Sequence, residues 1–120
     1  MRINISEISS VSIAEIIADN IVISEVQDAL DLMADCDYHG AQKIIIHKNN
    51  IIPDFFDLKT GIAGDILQKF STYRVKLAIV GDFSEYASKS LKDFIYESNK
   101  TGRIIFVNSV NEAKKKFAKK

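Results

Sequence analysis

The run Ile44-Ile45-Ile46 decides the fold that this 120-residue chain is predicted to adopt. Three consecutive β-branched residues fit a strand buried on both faces better than a strand with one face in water. The stretches from Val75 to Val80 and from Ile104 to Val107 have the same character, so we predict three central strands. Strands of this kind lie in parallel sheets covered by helices, which indicates an α/β fold.

Two further strands are predicted at the beginning of the chain. Ile3 and Ile5 alternate with polar residues, and Val11 and Ile13 do so after Ser9-Ser10. A period of two is typical of half-buried strands, and the short connection favours an antiparallel pair.

Four helices are predicted between and after the strands from apolar spacings of three and four. Capping boxes are predicted at Ser24-Glu-Val-Gln27 and at Ser109-Val-Asn-Glu112, and Ser84 is predicted to cap the third helix. The order is therefore β-β-α-β-α-β-α-β-α. It predicts one domain over residues 1–120, with a mixed, mostly parallel five-stranded sheet.

Composition restricts the classes of function. The chain is 47% hydrophobic and 27% charged, and its sixteen basic residues balance sixteen acidic ones. This balance gives no overall field for nucleic acid, and no apolar run approaches the roughly 20 residues that span a bilayer. Cys36 is the only cysteine and is interpreted as a small filler near a helix end. We therefore expect a cytoplasmic protein without a nucleic-acid or membrane partner.

Charge is unevenly distributed along the chain. Residues 1–40 carry one basic and eight acidic residues, a net charge of −7, whereas residues 101–120 carry a net charge of +5. The basic end includes Lys114, Lys115, Lys116, Lys119 and Lys120. We interpret it as a solvated helix face rather than as a contact for nucleic acid or membrane.

Functional residues are expected beyond the carboxyl ends of the parallel strands. The segments there are His47 to Thr60, Gly81 to Ser84 and Asn108-Ser109. Pro53 suits the first position of a helical turn. Phe55 and Phe56 are adjacent in this turn, so we expect one to pack and the other to lie exposed as a partner contact.

Acidic residues in these segments allow two interpretations. Asp54, Asp57 and Asp82 could bind a divalent cation, but Asp54 also suits a helix start and Asp82 a strand-to-helix turn. His39 and His47 lack the spacing of a zinc site. We predict no metal and no cofactor. Gly61 and Gly64 are expected to let a helix approach the sheet closely rather than to bind phosphate.

The element order, with Thr60-Gly-Ile-Ala-Gly-Asp-Ile-Leu67, resembles the STAS domain of anti-sigma factor antagonists and sulfate transporters. Three segments, Pro53 to Phe70, Lys76 to Ser84 and Ser90 to Asn99, look more like a small bacterial family known only as a domain of unknown function. The resemblance implies a STAS-like fold that binds a protein partner without catalysis.

In STAS domains, phosphorylation of a serine at the start of the second helix breaks the contact with the partner. The corresponding Asp-Ser-Ser-Gly motif aligns with Leu58-Lys59-Thr60-Gly61. Lys59 takes the place of the phosphoacceptor, and only Thr60 offers a hydroxyl. We interpret Thr60 as a helix N-cap, with phosphorylation as the alternative.

The leading hypothesis is a non-enzymatic regulatory or protein-interaction domain that acts through residues 49–60 and the start of the following helix. Its predicted binding residues are Asp54, Phe55, Phe56, Asp57, Lys59, Thr60, Asp82 and Ser84. The alternative is a small-ligand-binding protein or an enzyme that uses Asp54, Asp57, Lys59 and Asp82. A protein partner is expected, and self-association into a homodimer is a further expectation.

Overall fold

Within residues 1–118, the part of the chain that the computed structural model describes, five strands and four α-helices follow the predicted order. The strands are β1 (Arg2–Ile8), β2 (Val11–Ile17), β3 (Lys43–His47), β4 (Lys76–Val80) and β5 (Ile104–Val107). The helices are α1 (Val26–Tyr38), α2 (Ile62–Thr72), α3 (Lys89–Thr101) and α4 (Val110–Ala118). The α/β fold predicted from the three central strands is confirmed.

The strands lie in one sheet in the order β1-β2-β3-β4-β5. β1 pairs with β2 in antiparallel orientation, and the other neighbours are parallel. Each strand of the described sheet lies beside its sequence neighbour, so the strand order does not reverse. Ligand crevices of open α/β sheets form where that order reverses. The loops that follow the parallel strands here lie side by side along one edge of the sheet instead.

Both faces of the sheet are covered. Side chains of α1, α2 and α3 pack with alternate strand residues such as Ile44, Ile46 and Leu77 in the larger core. The intervening strand residues, such as Ile45, pack against α4 in a smaller core on the other face. Right-handed connections between neighbouring parallel strands place the first three helices on one face, whereas α4 follows the last strand and covers the other.

The first hairpin differs from the prediction in one respect. Ser9 and Ser10 form its turn with φ values of 53° and 67°, in the region that two-residue hairpins require. β2, however, is more than half-buried, because Ile13, Ala14 and Ile16 are fully buried. It lies between β1 and β3 in the sheet, and both of its faces are covered.

Two predicted helix caps are wrong. α1 begins after Glu25, and the Asp28 carboxylate accepts hydrogen bonds from the backbone N–H groups of Ser24 (2.9 Å) and Glu25 (3.3 Å). α3 begins after Ser88, whose Oγ accepts from the N–H of Leu91 at 3.2 Å. The Ser84 hydroxyl is instead bonded to Asp82 in the preceding turn.

The Ser109 cap of α4 is confirmed, but the Glu112 side chain bonds Asn108 rather than Ser109. Ser109 Oγ accepts from the N–H of Glu112 at 3.1 Å, and the Glu112 carboxylate accepts from the N–H of Asn108 at 2.9 Å. Lys115 and Lys116 are exposed, as expected for a solvated face, whereas Lys119 and Lys120 lie outside the described residues. No helix within residues 1–118 is long and apolar enough to cross a bilayer.

Cys36 is fully buried in α1, which confirms its interpretation as a core residue. Burial, with a smaller effect of the Asp35 carboxylate, raises the pKa of the thiol to about 11. The sulfur is therefore a neutral thiol at physiological pH, and it packs as a small hydrophobic group.

Candidate functional site

The segment between β3 and α2 is the longest connection at the carboxyl ends of the strands. It folds into three consecutive 3-10 turns, Lys48–Asn50, Pro53–Phe56 and Leu58–Thr60. Pro53 occupies the first position of its turn, as predicted, and Asp54 follows it there. The turns give this segment a defined backbone despite the absence of a long helix or strand.

Asn50 joins this segment to the loop that follows β2. Its side-chain amide nitrogen donates to the carbonyls of Ala18 (2.9 Å) and Asn20 (2.8 Å). Its backbone carbonyl accepts from the N–H groups of Val22 (2.8 Å) and Ile23 (3.1 Å). The residue is only 4% exposed. The sequence does not distinguish it from its exposed neighbour Asn49.

Phe55 and Phe56 are both buried, with exposed fractions of 1% and 6%. The expectation that one of them is an exposed partner contact is therefore wrong. Their ring centroids are 5.0 Å apart, and that of Phe56 lies 5.4 Å from Tyr86 and 6.1 Å from Phe83. The loop of residues 81–88 thus supplies a second hydrophobic surface, which sequence spacing alone could not reveal.

Lys48 lies at the centre of the contact between the two loops and was not singled out from the sequence. Its ammonium group forms an ion pair with Glu85, donates to the Asp82 carbonyl at 3.1 Å and lies 4.7 Å from the centroid of the Tyr86 ring. A basic residue directly after a central strand was the available signal. These contacts fix the second loop against the first.

Gly81 lies directly against the Lys48 side chain, and its replacement gives a test of this contact. A Cβ added at Gly81 would lie 2.7 Å from Lys48 Cβ, so Gly81→Ala is expected to lower the free energy of unfolding by about 1–3 kcal/mol. Gly64→Ala is the control, because a Cβ there meets no atom within 4 Å and the site is helical. That variant should be about 0.5–1 kcal/mol more stable than the wild type. Urea unfolding measures both, and equal stabilities would contradict the close approach.

Thr60 stabilises the end of the loop but is not the N-cap of α2. Its hydroxyl lies 2.9 Å from the carbonyls of both Asp54 and Asp57, to which it can donate, and it accepts from the N–H of Ile62 at 3.3 Å. Gly61 is the N-cap residue, with a φ of 76°. The predicted close approach at Gly61 and Gly64 is wrong, since no atom lies within 4 Å of a Cβ at either position.

The predicted acidic residues lie on the surface. Asp54 and Asp57 are exposed, and Asp57 Oδ1 accepts from the N–H of Lys59 at 3.3 Å. Asp82 Oδ1 accepts from the hydroxyl (2.6 Å) and the N–H (3.0 Å) of Ser84. The hydroxyl bond, followed by the backbone bond, lowers the pKa of Asp82. This confirms Asp82 as a turn residue.

Hollows at this edge of the sheet are lined by Lys48. One, of about 310 Å³, includes Lys48, Phe56 and Tyr86 in its lining, and another, of about 280 Å³, includes Lys48 and Asp82. Asp54, Asp57 and Lys59 line neither of them. Within residues 1–118, no group of three or more His, Cys, Asp or Glu side chains is arranged to hold a metal ion.

Comparison with curated proteins and with solved structures gave no match. A family model described as domain of unknown function DUF4180 matches residues 8–117. The match covers the candidate site and most of the chain, which bears out the resemblance to a family of this kind. The chain belongs to the DUF4180 family.

Proposed function

We propose that this protein is a non-enzymatic interaction domain whose binding surface is the strand-end surface, defined as residues 53–65 and 82–85. The observation that carries the proposal is the aromatic cluster of Phe55, Phe56, Phe83 and Tyr86. It joins two loops that follow different strands of the sheet.

A surface held in this way favours binding. Association costs free energy whenever loops must be ordered, and a loop that is already fixed avoids much of that cost. Here the aromatic cluster, the Lys48 contacts and the Thr60 hydrogen bonds fix the backbone before any partner arrives. The buried phenylalanines therefore support the surface and do not themselves meet the partner.

The exposed charges of the strand-end surface indicate the partner's chemistry. Its exposed acids are Asp54, Asp57, Asp65 and Asp82, and Lys59 is an exposed base among them. Glu85 is also exposed but is paired with Lys48. Complementary charge increases association rates and selects among partners. We therefore propose a protein partner that presents basic residues to this surface.

The STAS resemblance also predicts a STAS-like fold and a regulatory role, and both stay predictions. A bacterial origin, a cytoplasmic location and homodimer formation, which were predicted on other grounds, stay predictions as well. Thr60 is exposed, so a kinase can reach it, but its hydroxyl holds the Pro53–Phe56 turn. Phosphorylation there would replace these hydrogen bonds and change the surface itself.

The proposal is tested with the double variant Asp54→Lys/Asp65→Lys. Both side chains are exposed and, within the described residues, neither forms a side-chain hydrogen bond or an ion pair. The control, Glu7→Lys/Glu97→Lys, makes the same change of charge at exposed positions of β1 and α3. We expect a partner captured from native extract by the wild type and by the control to be lost with the first variant, by at least about tenfold.

The captured partner is then purified, and amide hydrogen exchange of the complex is measured. Protection of residues 53–65 and 82–85 is the expected result. Equal capture by both variants, or protection confined to another part of the chain, would contradict the proposal. Thermal unfolding of each variant checks that the fold is retained.

A further inference from the structure

A groove at the opposite edge of the sheet, near the amino ends of β3 and β4, is the second feature of interest. It has a volume of about 430 Å³ and lies between α1 and the turn that connects α2 to β4. Its lining consists of Leu30, Met33, Ala34, Asp37, Gln42, Tyr73 and Val75. The volume lies in the range of small-molecule sites, which are mostly apolar with a few polar groups.

The wall formed by the α2–β4 turn has an unusual backbone conformation. Arg74 has a φ of 57°, whereas the residues at that conformation after α1 and α3 are Gly40 and Gly102. Backbone hydrogen bonds of Tyr73, Arg74 and Val75 to the last turn of α2, between 2.9 and 3.1 Å long, hold this conformation. The turn places Val75, which is buried, and Tyr73, which is 60% exposed, on the same groove.

The groove continues into a polar part. Asp37 and Gln42 also line a neighbouring depression of about 390 Å³, together with Ser10, Ser12 and Lys43. The Lys43 ammonium group donates one hydrogen bond to the Phe117 carbonyl at 2.7 Å, which directs it toward α4. The molecule that fits both parts therefore has an apolar body and a polar end, with Asp37 where the two parts meet.

Asp37 and Tyr73 indicate which charge the polar end of the bound molecule carries. The Asp37 side chain is exposed and has no ion-pair partner among the described residues. Tyr73 contributes an aromatic ring from the other wall. A carboxylate forms charge-assisted hydrogen bonds with an ammonium group, and an aromatic face attracts it as well.

We propose that this groove is a binding site for a small aromatic or aliphatic amine, with its ammonium group at Asp37 and its apolar body against Met33, Tyr73 and Val75. The site is separate from the strand-end surface, and it does not depend on the proposed interaction function.

The test uses tryptamine as the probe, with tryptophol as its neutral analogue and indole-3-propionate as its anionic analogue. Titration is followed by two-dimensional amide NMR of the full chain. We expect tryptamine to shift the amide signals of Ala34, Gln42 and Val75, and to bind at least about fivefold more tightly than tryptophol. Indole-3-propionate should bind more weakly than both.

Substitutions in the groove test separately whether binding depends on the charge of Asp37 and on the open space beside Ala34. Asp37→Asn is expected to weaken tryptamine binding by about fivefold or more, while Asp35→Asn, an exposed position on the same helix outside the lining, should not change it. Ala34→Phe fills the groove from an exposed position and should abolish binding of tryptamine and tryptophol alike.

Three results would overturn the proposal. One is the absence of shifts at the groove at millimolar tryptamine. Another is equal binding of tryptamine and tryptophol together with no effect of Asp37→Asn. The third is binding that survives Ala34→Phe, since the probe would then occupy another surface.

Discussion

Replacement of Phe55 by alanine is expected to lower the free energy of unfolding by about 3–5 kcal/mol, the cost of removing a buried phenylalanine side chain. Phe55 is 1% exposed and packs in the larger core beside Phe56. Because domains of this size are stable by about 5–15 kcal/mol, this is a large part of the total. Urea unfolding followed by circular dichroism, with the m-value checked for constancy, measures the loss.

Tyr38→Ala is the matched control, because it removes an aromatic side chain that is 86% exposed. It should change the free energy of unfolding by no more than about 0.5 kcal/mol. If Phe55→Ala were as mild as Tyr38→Ala, Phe55 would be the exposed member of the pair that the sequence predicted. The aromatic cluster could then not support the strand-end surface, and the proposed function would lose its main argument.

Replacement of Asn50 by alanine is expected to lower the free energy of unfolding by about 1–3 kcal/mol. The change removes the amide that donates to the carbonyls of Ala18 and Asn20, and it leaves both acceptors without that donor. Among the described residues, the hydrogen bonds that remain between the loop after β2 and the 48–60 segment are then backbone bonds.

Asn50→Asp adds a pH dependence to the same contact. An ionised carboxylate at this buried site would face two carbonyl oxygens as an acceptor only, so its pKa should lie above the usual value of about 3.9. A group whose pKa is higher in the folded state binds more protons when folded. The stability of the variant relative to the wild type should therefore be greatest at acid pH and fall as pH rises through the folded-state pKa.

Asn49→Asp is the control for this pH dependence, since Asn49 is the adjacent and exposed residue. Urea unfolding of both variants between about pH 3 and pH 7 gives the comparison. We expect the difference from the wild type to vary with pH for Asn50→Asp and to stay nearly constant for Asn49→Asp. Parallel curves for the two variants would show that the position 50 side chain does not face the two carbonyls.

Much of the fold could be predicted because it depends on local patterns. The three central strands were visible as short apolar runs, since a strand between two helical layers has no face in water. The antiparallel hairpin followed from alternation around Ser9-Ser10. Capping was less predictable: Gln27 and Ser84 matched the expected residue types, but Asp28 and Ser88 form the caps. Several nearby residues can supply the same hydrogen bond, and the final geometry selects one of them.

The segments that carry the candidate site were placed correctly at the strand ends, but the packing of their side chains was predicted incorrectly. Adjacent phenylalanines in one turn suggested that one of them must be exposed, because a turn considered alone has one buried side. Phe83 and Tyr86, some 30 residues further along the chain, provide the second apolar surface. Lys48 and Asn50 were missed for the same reason, since their partners are distant in sequence.

The sequence by itself determined the α/β class, the order of nine elements and the segments that follow the strands, because hydrophobic periodicity is set by neighbouring residues. Only the tertiary structure decided that both phenylalanines are buried, that Lys48 and Asn50 join separate loops, and that a groove opens beside Tyr73. These features depend on the register of parallel strands and on contacts between distant segments, which no local pattern records.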